Sequence, residues 1–347
     1  MNSLVKEVAF IAVGQAGSNI GALFEEAGHT VLYISTSPVD LKALPEGTKH
    51  KFLIKNAEGS ARDRDRAKQA AVEAWDDINE VIAKTIEEQI VYMIFSAGGG
   101  TGSGASPMLL HHLTSEYPNR LIGAITILPT LTESRRVLFN ASECIRELKD
   151  IESSAKLILD NSKVTDKMQL NTAFVDLFST YLSLSLHANK HGALDFADLK
   201  EPLSYDGCAV ITKNQRQATT KEVIDTINSN IFASLENDKI VECILTSVSS
   251  NIDAGAIESH IGSPDITFTG FNDKETICFF SGLSYPEKRL KEIGEQIDKI
   301  DASRQEQREK KPTIELAAIK ASPEKKRKKP ISKDDLFARY MKKKTVD

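Results

Sequence analysis

Gly98-Gly99-Gly100-Thr101-Gly102-Ser103-Gly104 separates an apolar, β-branched run at residues 90–96 from a stretch at 105–117 that reads as a helix. The first run predicts a buried strand. Pro107 falls near the first turn of the second, where a missing N–H does no harm. Five glycines between strand and helix let the backbone approach a ligand closely and turn several N–H groups inward. The helix N-terminus adds the positive end of its dipole. Such a turn suits the phosphates of a nucleotide. It is not a Walker A loop, because no Gly-Lys-Ser/Thr follows, and it lacks the dinucleotide fingerprint.

Outward from this turn, strands and helices alternate. Strands are expected at 8–13, 30–35, 121–128 and 155–159, and helices at 17–27, 62–88 and 133–149. The alternation predicts parallel βαβ units in a doubly wound α/β sheet, with ligands on the loops at the carboxyl ends of the strands. A helix at 166–190 follows, apolar on a broad face through Leu170, Phe174, Leu177, Phe178, Tyr181 and Leu182. A second, smaller α/β domain is expected from short strands at 208–211, 241–248, 266–269 and 276–281 and a helix at 220–235. Residues 286–309 read as a helix that runs out into solvent. From Pro312 the composition is that of a disordered linker with a basic cluster at 325–329.

The chain has 347 residues, 41% hydrophobic and 27% charged, enough for more than one domain of an ordinary soluble protein. No apolar run reaches membrane-spanning length, and the first strand follows the N-terminus too closely for a signal peptide. Cys144, Cys208, Cys243 and Cys278 lack metal-ligand spacing and read as reduced core residues of a cytoplasmic protein. The net charge of −5 hides an asymmetry. Residues 310–347 carry 13 Lys/Arg against 5 Asp/Glu, whereas residues 1–309 carry 31 against 44. A basic tail on an acidic body either meets something negative or merely keeps the protein soluble.

The string GGGTGSG is the one that marks the tubulin/FtsZ family of GTPases, and the chain resembles that family over about residues 8–283. The loop Gly14-Gln15-Ala16-Gly17-Ser18-Asn19-Ile20-Gly21 keeps the Gly-Gln-x-Gly-x-x-x-Gly pattern of tubulin's first nucleotide loop. A flavin or nicotinamide protein would instead need an acid ending the second strand, and none occurs until Asp40. The resemblance implies a GTP/GDP site with Mg²⁺, whose ligands the sequence does not name. Gly14, Gln15, Ala16 and Gly17 would border the phosphates beside Gly98, Gly99, Gly100, Thr101, Gly102, Ser103 and Gly104. Asn19 and Asn161 would bond the base, Glu133 the ribose, and Phe174 would stack on the guanine unless it is a core phenylalanine. Gly59, Ser60 and Ala61, with Arg62 after them, fall where the family's γ-phosphate-sensing loop lies. The family's arginine four residues after the ribose glutamate is Val137 here, with Arg135 and Arg136 before it.

Asp195-Phe196-Ala197-Asp198 is similar to the FtsZ catalytic loop, although an asparagine of that loop is Ala193 here. Asp195 and Asp198 would then hydrolyse GTP in the pocket of the next subunit, so that the chain assembles head to tail with itself. Without the resemblance such a pair reads as a solvated face. The implied organisation is a nucleotide-binding domain at 1–165, a central helix and catalytic loop at 166–204, a second domain at 205–283, a C-terminal helix at 284–311 and a flexible basic tail at 312–347. The extended helix and basic tail look like the plasmid- and phage-borne branch that segregates DNA, with details similar to clostridial phage members. That implies a DNA-binding adaptor on centromere-like DNA as partner and no membrane. Within the tail, Ser332 and Asp335 can cap a short helix whose stripe is Leu336, Phe337, Tyr340 and Met341. A cell-division FtsZ and a dinucleotide-dependent enzyme stand as alternatives.

Overall fold

The computed structural model describes residues 4–57, 59–184, 192–233, 240–249 and 251–309. After a short 3₁₀ turn, Leu4–Glu7, come β1 (Val8–Val13), α1 (Gly14–Glu26), β2 (Val31–Ser35), α2 (Pro38–Lys42), β3 (Lys51–Leu53), α3 (Arg64–Glu73), α4 (Trp75–Thr85) and β4 (Ile90–Ser96). They are followed by α5 (Thr101–Glu116), β5 (Leu121–Leu128), α6 (Arg135–Lys149), β6 (Lys156–Asp160), α7 (Lys167–Leu182), α8 (Phe196–Ser204) and β7 (Cys208–Gln215). The last elements are α9 (Thr220–Asn228), β8 (Cys243–Val248), α10 (Ala254–Ile261), β9 (Ile266–Phe271), β10 (Glu275–Leu283) and α11 (Glu287–Glu309).

Ten strands form one sheet in the order β3-β2-β1-β4-β5-β6-β7-β10-β8-β9. The first seven are parallel, and all but the short edge strand β3 are largely buried, which is why β1, β4 and β5 read as unbroken apolar runs. β10 runs antiparallel to both β7 and β8, and β9 pairs parallel with β8. The strands after residue 205 therefore continue the first sheet, joined by two registered pairs, Lys156 with Cys208 and Leu157 with Ala209. Chain order reverses at β1, with β2 on one side and β4 on the other. Such a switch point opens a crevice at the strands' carboxyl ends.

The core is aromatic where α1, α7 and the sheet meet. Phe10 stacks on Phe24 with ring centroids 3.8 Å apart, and Phe178 lies edge-on to both. At Gly17 a Cβ would sit 2.1 Å from the Ile94 carbonyl oxygen, so only glycine lets α1 lie this close to β4. The four cysteines are buried and unpaired, and burial pushes their thiols up to about 12. They are unreactive core residues.

Several elements differ from the sequence reading. α5 starts at Thr101, so Gly102, Ser103 and Gly104 form its first turn and Pro107 lies inside the helix. Pro107 has no N–H for the Ser103 carbonyl four residues back. Arg64 Nη2 donates to that carbonyl instead, at 3.0 Å. Arg64 also grips Glu147 with two hydrogen bonds of 3.1 and 2.8 Å, and Lys68 adds a third at 2.9 Å. Burial pushes the Glu147 carboxyl up, but these bonds outweigh it and hold the group below its ordinary range.

The helix expected over 62–88 breaks at Ala74 into α3 and α4. α3 turns the small residues Ala67, Ala70 and Ala71 inward and packs on α5, whereas α4 inserts Ile78 and Ile82. The helix at 220–235 ends at Asn228, because the chain peels away to the edge of β6, where Ala233 N–H bonds Ile158 O at 2.8 Å. Strand β3 has three residues and carried no signal. The helix at 166–190 is described only as Lys167–Leu182. The tail, with its basic cluster and its capped stripe, lies outside the described residues.

Candidate functional site

A crevice of about 360 Å³ opens where the switch point requires it. Gly14, Gln15 and Ala16 supply one wall, Gly99, Gly100, Thr101 and Gly102 the second, and Gly59, Ser60 and Ala61 the third. Three stretches far apart in sequence thus meet around one space. The N-termini of α1 and α5 point at it, and neither helix has a side-chain cap. By contrast α2, α3 and α7 are capped by Ser37, Asp63 and Asp166. Uncapped N–H groups at two converging dipole ends form an anion site.

Three hydroxyls lie at the meeting point. Thr36 and Thr101 hydrogen-bond at 2.7 Å, and Ser60 lies 3.4 Å from Thr101. The loop before α3 is strained: Gly59, Ala61 and Arg62 have φ of +70°, +49° and +62°. The last two are side-chain-bearing residues in left-handed backbone, which surrounding structure must hold in place. Asn140, 3% exposed, provides part of that restraint. Its Nδ2 donates to the carbonyls of Arg62 at 3.1 Å and Gly99 at 3.0 Å.

The remaining expected residues are placed as follows. Gly17, Gly98 and Gly104 do not line the crevice; a Cβ on them would strike Ile94, Val137 and Arg64 respectively. They are there for packing. Ser103 turns its hydroxyl back to the Gly99 carbonyl. Asn19 is exposed on α1. Glu133 accepts a 2.6 Å bond from Lys167 at the start of α7, and Asn161 opens the 3₁₀ turn after β6. Both lie at carboxyl ends of strands but outside the crevice lining.

Phe174 corrects its expectation. It is fully buried, its ring 5.8 Å from Phe178, 6.1 Å from Phe24 and 6.2 Å from Phe232. No face is left for a base, so this ring is core. The sequence reading also singled out no side chain among Val13, Ser37, Asp40 and Ser96, all of which line the crevice together with Arg62, the last residue of the loop at 59–62. Asp40 was legible in principle, as the first acid after β2.

Behind the loops that follow β5 and β6 stands one guanidinium. Arg289 on α11, 5% exposed, bonds Asp160 through Nε at 2.8 Å and Nη2 at 3.2 Å, and Nη2 also reaches the Pro129 carbonyl at 2.9 Å. Asp160 immediately precedes Asn161, and Pro129 begins the loop that carries Glu133. Arg135, at the start of α6, is tied to Asp301 of α11 at 2.5 Å. Arg136 reaches the Ala61 carbonyl at 3.5 Å.

Asp195 and Asp198 stand elsewhere. They form a capping box at the start of α8: Asp198 N–H bonds Asp195 Oδ1 at 3.0 Å, and Asp195 N–H bonds Asp198 Oδ2 at 2.9 Å. α8 packs on the 3₁₀ turn before β1, and the Leu203 carbonyl accepts from Ala155 N–H ahead of β6. It therefore sits at the amino ends of the parallel strands, and the crevice at their carboxyl ends.

The glycines can be tested separately. A Cβ on Gly102 would face the strand, 3.1 Å from Phe95 Cβ and 3.2 Å from Ser96 backbone, whereas one on Gly99 meets only Ser96 O at 3.8 Å. Gly99→Val is expected to abolish nucleotide binding with the fold intact, while Gly102→Val loses thermal stability as well. Normal nucleotide affinity in Gly99→Val, measured with a fluorescent nucleotide, would refute the placement of the phosphates.

A parallel sheet whose switch point gathers these three loops defines a nucleotide site of the tubulin/FtsZ kind. Residues 7–169 match the family described as "Tubulin/FtsZ family, GTPase domain" and form a GTPase domain of that kind. Among its relatives is the tubulin-like protein TubZ of Clostridium botulinum C phage, 28% identical over 312 residues, 86% of this chain and 85% of that protein. The crystal structure of Clostridium botulinum phage c-st TubZ superposes with a TM-score of 0.77 at 26% identity, covering 86% of this chain and 99% of that one. A GTPγS-form protofilament of Bacillus thuringiensis serovar israelensis TubZ shares the fold, with a TM-score of 0.74 at 15% identity over 88% of this chain and 95% of that one.

Proposed function

We propose that the protein polymerises head to tail into dynamic filaments, hydrolyses GTP at each subunit contact, and moves plasmid or phage DNA in the cytoplasm through an adaptor of the TubR type. One observation carries the catalytic part: the crevice and the Asp195–Asp198 pair lie at opposite ends of the same parallel strands. Two carboxylates beside a triphosphate in a permanent site would repel it. Supplied by the next subunit, they meet it only on assembly, where they orient the attacking water. A contact of this kind is heterologous and builds an open filament. The Bacillus thuringiensis relative, solved as a protofilament, supports the same reading. No described helix is long and apolar enough to cross a membrane.

Mg²⁺ fits the donors present. Asp40 is the one carboxylate of the described lining, which also holds Ser60 and Thr101, and no described cluster of three His, Cys, Asp or Glu residues could cage a metal. Mg²⁺ characteristically takes one or two carboxylates and completes its shell with phosphate oxygens and water. When bound, it neutralises phosphate charge. Asp40 is held for such a role by the Ser35 hydroxyl, which donates to Oδ2 at 3.0 Å.

Sedimentation with GTP against GDP, followed by electron microscopy, tests the assembly; failure to sediment with GTP would refute it. For the adaptor, truncation after Lys311 is expected to spare GTPase activity and polymerisation yet abolish recruitment of adaptor-bound DNA. Neutralising Lys325, Lys326, Arg327, Lys328 and Lys329 should weaken recruitment and flatten its salt dependence. Phe337→Ala should weaken recruitment at every salt concentration. If truncated filaments still pull down adaptor–DNA complexes, the tail is not the coupling device.

A further inference from the structure

The loop that leads into α8 lies on the outermost strand of the sheet. β9 is bonded to β8 along one edge, where Asn272 N–H bonds Val248 O at 2.9 Å. Its other edge offers Phe271 N–H, which bonds Gly192 O at 2.9 Å. Gly192 has φ of +138°, a backbone that side-chain-bearing residues rarely adopt. Two residues on, Leu194 is 8% exposed and covers Gly270 of β9. A Cβ on Gly270 would stand 2.6 Å from Leu194 Cγ, 3.1 Å from Cδ1 and 3.3 Å from Cδ2, so the leucine fills the space that this glycine leaves empty. The next residue is Asp195, where the capping box with Asp198 begins.

We infer that Gly270 and Leu194 are positioning residues for hydrolysis: a seat on β9 that fixes where Asp195 and Asp198 stand when they meet the neighbouring subunit's nucleotide. The inference rests on the proposal that these two carboxylates act in trans. Each carboxylate accepts from the other residue's N–H, and this box fixes their spacing but not their place on the subunit. α8 packs against β8 and β10, yet Asp195 stands at its N-terminal end, ahead of the first turn. What anchors that end to β9 is one backbone bond at Gly192 and one side chain seated on a glycine. Leu194 has no polar atom to offer the reaction, so it acts through the placement of its neighbour. A group that orients an attacking water loses up to about 10²-fold in rate when it is displaced by about 1 Å. Carbon atoms in ordinary contact stand about 3.5–4.0 Å apart, so a methyl group on Gly270 demands a shift of about that size from Leu194.

The test measures GTP turnover per sedimented subunit in full-length protein, together with GDP affinity. Gly270→Ala is expected to lower turnover roughly 10- to 100-fold, with GDP affinity and sedimentation in GTP at the parent's level. Leu194→Ala makes the room that the methyl group needs, so the double variant should turn over faster than Gly270→Ala alone; additive losses would overturn the seat. In mixtures the defect should follow the subunit that supplies the carboxylates. Gly270→Ala mixed with Gly99→Val should regain turnover, because the second subunit brings placed carboxylates to the first one's pocket. Gly270→Ala mixed with Asp198→Asn should not, because both bring a pocket and neither brings placed carboxylates. A subunit that is only destabilised would not make this distinction. Leu194→Ala alone empties the seat from the other side and should show the same pattern in both mixtures. Full turnover in Gly270→Ala, recovery in its mixture with Asp198→Asn, or lost sedimentation with unchanged turnover per sedimented subunit would each overturn the inference. Undiminished turnover in both Asp195→Asn and Asp198→Asn would instead refute the trans reading itself, and the inference with it.

Discussion

Asp198→Asn is expected to slow GTP turnover roughly 10²- to 10⁴-fold, the usual contribution of a positioned acid–base group, while nucleotide affinity and filament assembly persist. Asparagine is the informative substitution because of the capping box. Its side-chain oxygen can still accept from Asp195 N–H, as Asp198 Oδ2 does at 2.9 Å, so the start of α8 survives. Alanine would also remove the reciprocal half of the capping box, the acceptor for Asp195 N–H. Asp195→Asn should behave alike, and both variants should form filaments that persist where the parent's disassemble. Mixing Asp198→Asn with Gly99→Val supplies the complementary halves: one subunit brings a working pocket, the other working carboxylates. Turnover must reappear in the mixture. Undiminished turnover in both aspartate variants, or none in the mixture, would rule out catalysis in trans.

The second large effect is expected at Arg289. Replacing it by methionine leaves Asp160, 1% exposed, as a buried carboxylate without its bidentate partner, and frees the Pro129 carbonyl. Breaking a buried ion pair by removing one partner costs about 3–5 kcal/mol, measurable as a shift in the urea midpoint. Adding Asp160→Leu should return much of that loss, because an apolar pair no longer strands a charge. A loss in Arg289→Met no larger than that of a surface ion pair, below about 1 kcal/mol, would show that the clamp does not hold the loops that follow β5 and β6.

What was legible in the sequence follows from which interactions are local. β1, β4 and β5 were read to the residue, because burial on both faces makes a parallel strand an unbroken apolar run. The loops at Gly14 and Gly98 were legible from their positions after strands, whereas the loop at Gly59 follows β3, which carried no signal, and was placed by the family resemblance. Where α5 begins could not be read, because Pro107 is tolerated mid-helix only through Arg64, a partner 39 residues away from the carbonyl it serves. Phe174 was misread for a similar reason: α7 has apolar residues on a broad face, and only the packing of Phe24 and Phe232 decides which of them is sealed. Asp40 acquires meaning only from the wall it stands in. Arg289 gave no signal at all, since an arginine in a polar helix looks like any solvated charge until β6 is placed behind it.

The two helices that open at the crevice without caps have a consequence for how the protein lives between rounds of assembly. A nucleotide phosphate bound there would complete hydrogen bonds of the kind that serine or aspartate completes in α2, α3 and α7, and the ligand would then also be part of the molecule's architecture. Anything that binds the folded chain alone raises its stability with the logarithm of ligand concentration. Cellular guanine nucleotide levels therefore govern the protein's lifetime as well as its polymerisation. A subunit that has discharged its nucleotide and found no replacement is a softer target for proteases, and a starving cell would clear its idle subunits first.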